Sequence, residues 1–271
     1  MISKHKNNRS FINFFGVPII LSSIYYDFLF PYLVLIILCT CTFEYVKLVN
    51  KLNSRISIIF LLTFNIIVFM NTFMNIFDTY SIIILFFIIC FSCEVFLYSQ
   101  SSTQNIAFNL MGFIMIGCCL AESLINIRFV NNGFYYTLLL FLSVWICDTF
   151  AYIFGSKFGK TKILPAISPN KTWVGSFSGI AGSFIVAFSF YYFNDIFTLS
   201  INMKIVDVVV ISVITGIFGQ LGDFSESIMK RQVNIKDTGT ILLGHGGFLD
   251  RFDSIIFAAP LYYLYLKNFI L

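Results

Sequence analysis

The chain has 271 residues, 58% of them hydrophobic and only 11% charged, with a formal net charge of +4. A soluble domain carries roughly 25% charged residues, so this composition excludes an ordinary water-soluble globule. It also excludes a strongly basic nucleic-acid binder, and it makes the bilayer the natural solvent.

Nine apolar stretches are long enough to suggest spans: residues 11–26, 29–46, 57–76, 80–98, 106–126, 134–155, 174–194, 205–224 and 252–270. The expected fold class is therefore all-α, a polytopic integral membrane protein with about nine transmembrane helices. The opening MISKHKNNRS followed by an apolar run superficially resembles a signal peptide, but no small-residue cleavage site follows, so it reads as an uncleaved first span. Gly16 and Pro18 predict a kink or a partly interfacial course there.

Placing the N-terminus in the cytoplasm puts fourteen of the seventeen Lys and Arg residues inside, leaving Arg128, Lys204 and Lys267 outside. The positive-inside rule prefers this orientation. It places both long polar loops on the cytoplasmic side.

The first five spans carry little chemistry. Glu44, Lys47 and Lys51 read as a solvated helix end. Asn65, Asn71, Asn75, Asn105 and Asn109 read as donors and acceptors for interhelical hydrogen bonds. Cys90 and Cys93 have CxxC spacing, but no second pair or histidine cluster accompanies them. All seven cysteines lie in apolar runs and read as small buried hydrophobes. Residues 1–130 are expected to form an N-terminal group of transmembrane helices, and 131–271 a transmembrane region that carries the cytoplasmic polar loops and any catalytic chemistry.

From Trp145 the character changes. Asp148 lies within the sixth span; Lys157, Lys160 and Lys162 follow; then Ser168-Pro169-Asn170-Lys171-Thr172-Trp173 opens onto the seventh. A short polar segment running into a helix start suits an anion, because backbone N–H groups and the positive helix end face it. Lys171 adds a mobile charge, and Ser168 and Thr172 add hydroxyls. A helix cap beside a positive anchor explains the same residues. The glycine spacing is not that of a Walker A loop. In the seventh span Ser176, Gly179, Gly182 and Ser183 predict close helix packing.

The eighth span runs into Gly222, Asp223 and Glu226, and a helix continued to Arg231 puts Asp223, Glu226 and Lys230 on one face. Two carboxylates there suit an ion-pair network, or Mg²⁺ shared with substrate phosphates. Lys236, Asp237 and Gly239 begin a loop, His245-Gly246-Gly247 continue it, and Asp250, Arg251 and Asp253 close it. Paired glycines let backbone approach a ligand. No Ser-His-Asp order or reactive cysteine stands out, so phosphoryl or nucleotidyl transfer by positioning and charge neutralisation fits better than a covalent nucleophile.

Three blocks together resemble one known family. They are Asp148-x-x-Ala151-Tyr152-x-x-Gly155 with Gly159-Lys160 and Ser168-Pro169-x-Lys171-Thr172-Trp173; Gly222-Asp223 with Glu226-Ser227; and Ser227-x-x-Lys230-Arg231-x4-Lys236-Asp237-x-Gly239 with His245-Gly246-Gly247-x-x-Asp250-Arg251-x-Asp253. They look like the signature of the phosphatidate cytidylyltransferase, or CDP-diacylglycerol synthase, family. They span roughly residues 145–254.

The resemblance implies cytidylyl transfer from CTP to phosphatidic acid in phospholipid biosynthesis. It implies Mg²⁺ with a monovalent cation such as K⁺, a bacterial inner-membrane location with a cytoplasmic active site, and a homodimer. It assigns metal to Asp223 and Asp250. It assigns nucleotide binding to Ser168, Asn170, Lys171, Thr172 and Asp148. Lys230, Arg231 and Lys236 would neutralise phosphate, with Asp237 and His245 also in the catalytic set. Glu226 and Asp253 would support the metal ligands or pair with cations.

Val174 stands where the family commonly has Glu, and Leu243 where it commonly has Pro. The alternatives are another CTP-dependent membrane lipid enzyme, of the polyprenol kinase or CDP-archaeol synthase type, and an anion transporter. No paired halves support the transporter.

Overall fold

The computed structural model describes residues 16–197, 201, 203–239 and 246–271. Most of those residues are helical, and the β-type pairing among them is an isolated bridge between Lys162 and Thr172. The helices are α1 (Gly16–Tyr25), α2 (Leu29–Leu52), α3 (Ile58–Met74), α4 (Thr79–Phe96), α5 (Ser102–Phe129), α6 (Gly133–Phe158), α7 (Trp173–Phe197), α8 (Ile205–Gln232) and α9 (Leu249–Tyr265). The described part of each predicted span falls on one of them, but fewer than the nine expected have the length and composition of a span. Among the described residues, α2, α4, α5, α6, α7 and α8 are long and apolar enough to cross a membrane; α1 and α3 are apolar but shorter. The chain is an integral membrane protein with six candidate spanning helices. Large apolar side chains on their outer faces, such as Tyr80, Val95 and Phe96, are exposed, as lipid-facing positions require.

Local chemistry sets the helix ends. Asp78 starts α4 by accepting from the Ser81 amide at 3.2 Å and its hydroxyl at 2.7 Å. Ser57 starts α3 by accepting from Phe60 N–H. Every non-glycine residue with positive φ among the described residues is an asparagine: Asn53, Asn75, Asn132 and Asn234. Asparagine is among the few L-residues that enter the left-handed region at low cost.

The described residues form two compact units. The first holds Met1–Ile125 and Met229–Arg251; the second holds Asn126–Ile228 and Phe252–Leu271. In the first, α2, α3, α4 and α5 pack around rings. Phe86 lies 4.2 Å from Phe113 and 4.8 Å from Phe64, centroid to centroid. Tyr45 donates its hydroxyl to the Phe108 carbonyl at 2.7 Å, and a side chain at Gly112 would strike its ring. Asn65 donates to Thr42 of α2 at 2.9 Å, the interhelical bond predicted for it; Asn105 instead accepts from the Arg55 amide in the link before α3 at 2.8 Å, and Asn71 and Asn75 close the end of α3 rather than bridge helices. Such bonds contribute about 0.6 kcal/mol each in a bilayer, so they set register more than stability.

In the second unit, α6 and α7 meet along glycines. Gly155 faces Gly175, Gly179 faces Cys147, and Gly182 faces Ile146 and Phe150. Ser183 donates to the Ser143 carbonyl at 3.1 Å. The small residues of α7 are packing residues, as their spacing predicts. Gly222 serves the same end on α8. A Cβ there would collide with the Asp253 carbonyl, so glycine lets α8 lie against the start of α9.

Candidate active site

In the second unit, the loop from Gly159 to Thr172 joins α6 to α7. Its two arms are tied by the Ile163 amide on the Lys171 carbonyl at 3.2 Å and the Trp173 amide on the Thr161 carbonyl at 3.1 Å. The tip is turned by Ser168 N–H on the Leu164 carbonyl at 2.9 Å and Lys171 N–H on the Ser168 carbonyl at 3.3 Å. Asn170 is exposed and Ser168 half-buried at that tip. Thr172 is buried, and its hydroxyl accepts from Gly175 N–H at 3.2 Å, which makes it the N-cap of α7. Gly155 and Gly159 leave room for that hydroxyl.

Lys171 leaves the loop and forms an ion pair with Asp223 of α8. Its ammonium also lies 4.3 Å from the Phe224 ring centroid. The predicted phosphate-facing lysine and the predicted metal carboxylate are thus neighbours. Ser227 donates to the other Asp223 oxygen at 3.4 Å. Asp253 is buried, and the negative charges of Asp223, Glu226 and Asp148 all act on it; it also hydrogen-bonds with Glu226. Asp148, Asp223, Glu226 and Asp253 thus form one electrostatic group on α6, α8 and α9. Carboxyl groups that close need a shared proton or a bound cation between them. Among the described residues, no set of three or more acidic, His or Cys side chains is arranged as a ready metal cage. The donor chemistry suits a cation, but Lys171 supplies the positive charge in this conformation.

In the first unit, Asp250 is the centre of a second knot. One oxygen accepts from Lys230 Nζ at 2.6 Å; the other accepts from Thr238 N–H at 2.9 Å, Thr238 Oγ1 at 2.9 Å and Gly247 N–H at 2.7 Å. Burial alone would raise the Asp250 pKa. The Lys230 charge and the bonds from Lys230, Gly247 and Thr238 outweigh it and hold the carboxyl below its usual value. Gly246 sits at φ +83°, and a Cβ there would come within 2.7 Å of the Asp250 carboxylate. Here both glycine properties are used, positive φ and close approach.

Arg231 donates to the Ile235 carbonyl at 3.0 Å, closing the turn after α8 through Asn234. Lys236 and Asp237 are exposed beyond it. His245 and Leu243 lie outside the described residues, and Val174 is exposed at the start of α7.

Glu44 corrects the sequence reading. It is not a solvated helix end but a buried residue, only 2% exposed. Its Oε2 accepts from the Leu249 N–H at 2.9 Å and lies 3.1 Å from Thr238 Oγ1. Neighbouring Lys47 sits instead over the Phe43 ring, 4.0 Å from its centroid. The clue lay in position: a carboxylate near a helix C-terminus is at the wrong end of the dipole, and one retained there asks for a tertiary partner. Thr238, between two motif residues, is the other participant that sequence reasoning passed over.

A lysine-bearing loop beside clustered carboxylates, carried on apolar helices, defines a membrane protein with a charged site among its helices. The chain belongs to the cytidylyltransferase family, whose sequence profile matches residues 7–269. It is similar to the phosphatidate cytidylyltransferase of Staphylococcus aureus (strain COL), 40% identical over 180 residues, 64% of this chain and 66% of that protein. The Staphylococcus epidermidis protein of the same name gives the same figures. That of Staphylococcus haemolyticus is 44% identical over 150 residues, 53% of this chain and 56% of its own. The matched stretch thus spans just under two thirds of the Staphylococcus aureus protein.

Proposed function

We propose that the chain transfers the cytidylyl group of CTP to phosphatidic acid, giving CDP-diacylglycerol and pyrophosphate. A lipid phosphate oxygen forms a bond to the α-phosphorus of CTP, and the bond from that phosphorus to the bridging oxygen of the β-phosphate breaks. The attacking phosphate is already ionised near neutral pH, so the protein needs no strong base. Its work is to align two anions and to screen their repulsion. The observation that carries this reading is the pairing of Lys171 with Asp223 within the carboxylate group of the second unit.

In this reading the loop from Ser168 to Thr172 receives the nucleotide phosphates. Ser168 and Asn170 are accessible at its tip, Lys171 swings from Asp223 to phosphate, and Thr172 holds the loop to α7. Mg²⁺ is the metal we assign to Asp223, with Asp148, Glu226 and Asp253 beside it, together with a monovalent cation such as K⁺. When bound, such ions neutralise the phosphate oxygens between which negative charge moves. In the first unit Asp250 is the other carboxylate the family resemblance assigns to metal. Its bonds to Thr238 and Gly247 fix the orientation of its oxygens. Lys230, Arg231 and Lys236 neutralise phosphate, with Asp237 and His245 completing the set. Residues 131–271 carry most of this chemistry. We place the site at the cytoplasmic face of a bacterial inner membrane, with the protein a homodimer.

Radiolabelled CTP incubated with membranes containing the protein, with and without phosphatidic acid, tests the reading. Label should enter the lipid fraction only when phosphatidic acid and Mg²⁺ are both present. Absence of lipid-soluble label under those conditions would refute it.

A further inference from the structure

The functional reading gives Glu44 no part, yet it is the least accessible carboxylate of the first unit for which hydrogen bonds are described. It sits on α2, far in sequence from every motif, and is 2% exposed. Among the described residues no cation pairs with it. Its Oε1 is buried with no hydrogen-bond partner and lies against Gly239; its Oε2 meets Leu249 N–H, Thr238 Oγ1 and Gly247.

Two of these facts bear on what it does. First, Gly239 and Gly247, on either side of residues 240–246, both press on the one carboxylate. A Cβ at Gly239 would lie 3.3 Å from the Gly247 Cα. Thr238 and Gly239 on one side and Gly247 and Leu249 on the other are therefore brought together at Glu44. Second, Thr238 Oγ1 lies 3.1 Å from Glu44 and 2.9 Å from Asp250. A hydroxyl carries one proton, so it donates to one carboxylate at a time, and the position of each acid depends on the other. A carboxylate is a costly group to bury without a cation beside it, and an apolar side chain would pack α2 at lower cost.

We propose that Glu44 is a positioning residue for the reaction: it holds Thr238 and Gly239 against Gly247 and Leu249 and, through Thr238, sets the Asp250 carboxylate and its Lys230 partner. The role rests on the cytidylyltransferase reading above. It does not need Glu44 to touch either substrate. Both glycines are required by the same contact, since a Cβ at either would overlap the Glu44 carboxylate.

The test uses the full-length protein, purified in lipid nanodiscs, as wild type, Glu44→Ala and Glu44→Gln. The amide oxygen of Gln keeps an acceptor for Leu249 and Thr238; Ala keeps none. Glu44→Ala should lower kcat ten- to a hundredfold, the range for removing a group that orients a ligand. The KM for CTP should stay within about threefold, because the loss falls on the transition state. Hydrogen–deuterium exchange should quicken in peptides covering 236–250 and stay unchanged in Gly133–Phe158. Glu44→Gln should recover most of both effects. Exchange at 236–250 like that of wild type, exchange rising alike in all helices, or Gln behaving as badly as Ala would each overturn the clamp. A wild-type protein that forms no CDP-diacylglycerol would sink the functional reading instead, and the exchange comparison would still decide the clamp by itself.

Discussion

Replacing Lys230 with methionine removes its contact with Asp250, and a double-variant cycle isolates that contact. The two charged atoms are 2.6 Å apart, and each side chain is 9% exposed. At an effective dielectric constant near 20 their attraction is about 6 kcal/mol, part of which offsets the cost of taking both charges out of water. Removing one partner of a buried pair typically costs about 3–5 kcal/mol. Asp250 would keep its bonds from Thr238 and Gly247, so we expect the lower end, about 3 kcal/mol. Asp250→Asn removes the charge but keeps an acceptor, and the double variant completes the cycle. Unfolding by denaturant titration in mixed micelles should give a coupling energy of about 2–3 kcal/mol between the two positions. Strictly additive losses would show that Lys230 and Asp250 do not stabilise one another, and the account of the second knot would fail.

Asp223→Asn should lower CTP turnover by roughly two to three orders of magnitude, as removing one electrostatic stabiliser does; Mg²⁺ binding followed by calorimetry should weaken in parallel. Gly222→Ala should destabilise the protein by about 1–3 kcal/mol, because the added methyl meets the Asp253 backbone rather than a movable side chain; a shift in thermal unfolding checks it. The depressed Asp250 pKa fixes a sign for acid stability. Its ionised form is favoured in the folded state, so its contribution is complete above the unfolded value near 3.8 and is lost as pH falls through the lower folded value. Unfolding free energy measured from neutral pH down to about pH 5 should therefore be the same in wild type and Asp250→Asn apart from a constant offset, and should converge only in stronger acid.

The helices were readable because apolar length is what a bilayer demands, and the described part of each predicted span lies on one. The loop from Ser168 to Thr172 and the acidic start of α9 were readable because costly polar residues stand out against such a background. Thr172 was less so. A hydroxyl that opens a helix looks the same in sequence whether it caps the backbone or binds phosphate, and the structure uses it as a cap. The gathering of Asp148, Glu226 and Asp253 around one point was not readable, because it depends on Gly222 and on the glycines of α7 letting three helices approach. Glu44 was misread because burial is a property of what packs against a residue. Its partners lie 194 and 205 positions away.

That separation has a consequence in time. The first unit is completed by Met229–Arg251, which the ribosome makes only after more than a hundred residues of the second. At about 5–20 residues per second, Leu249 emerges some 10–40 seconds after Glu44. During that interval α2 is in or entering the bilayer with a carboxylate that has none of its final partners. A chain stalled before residue 249 would therefore hold that acid without the Leu249 amide that meets it in the finished fold.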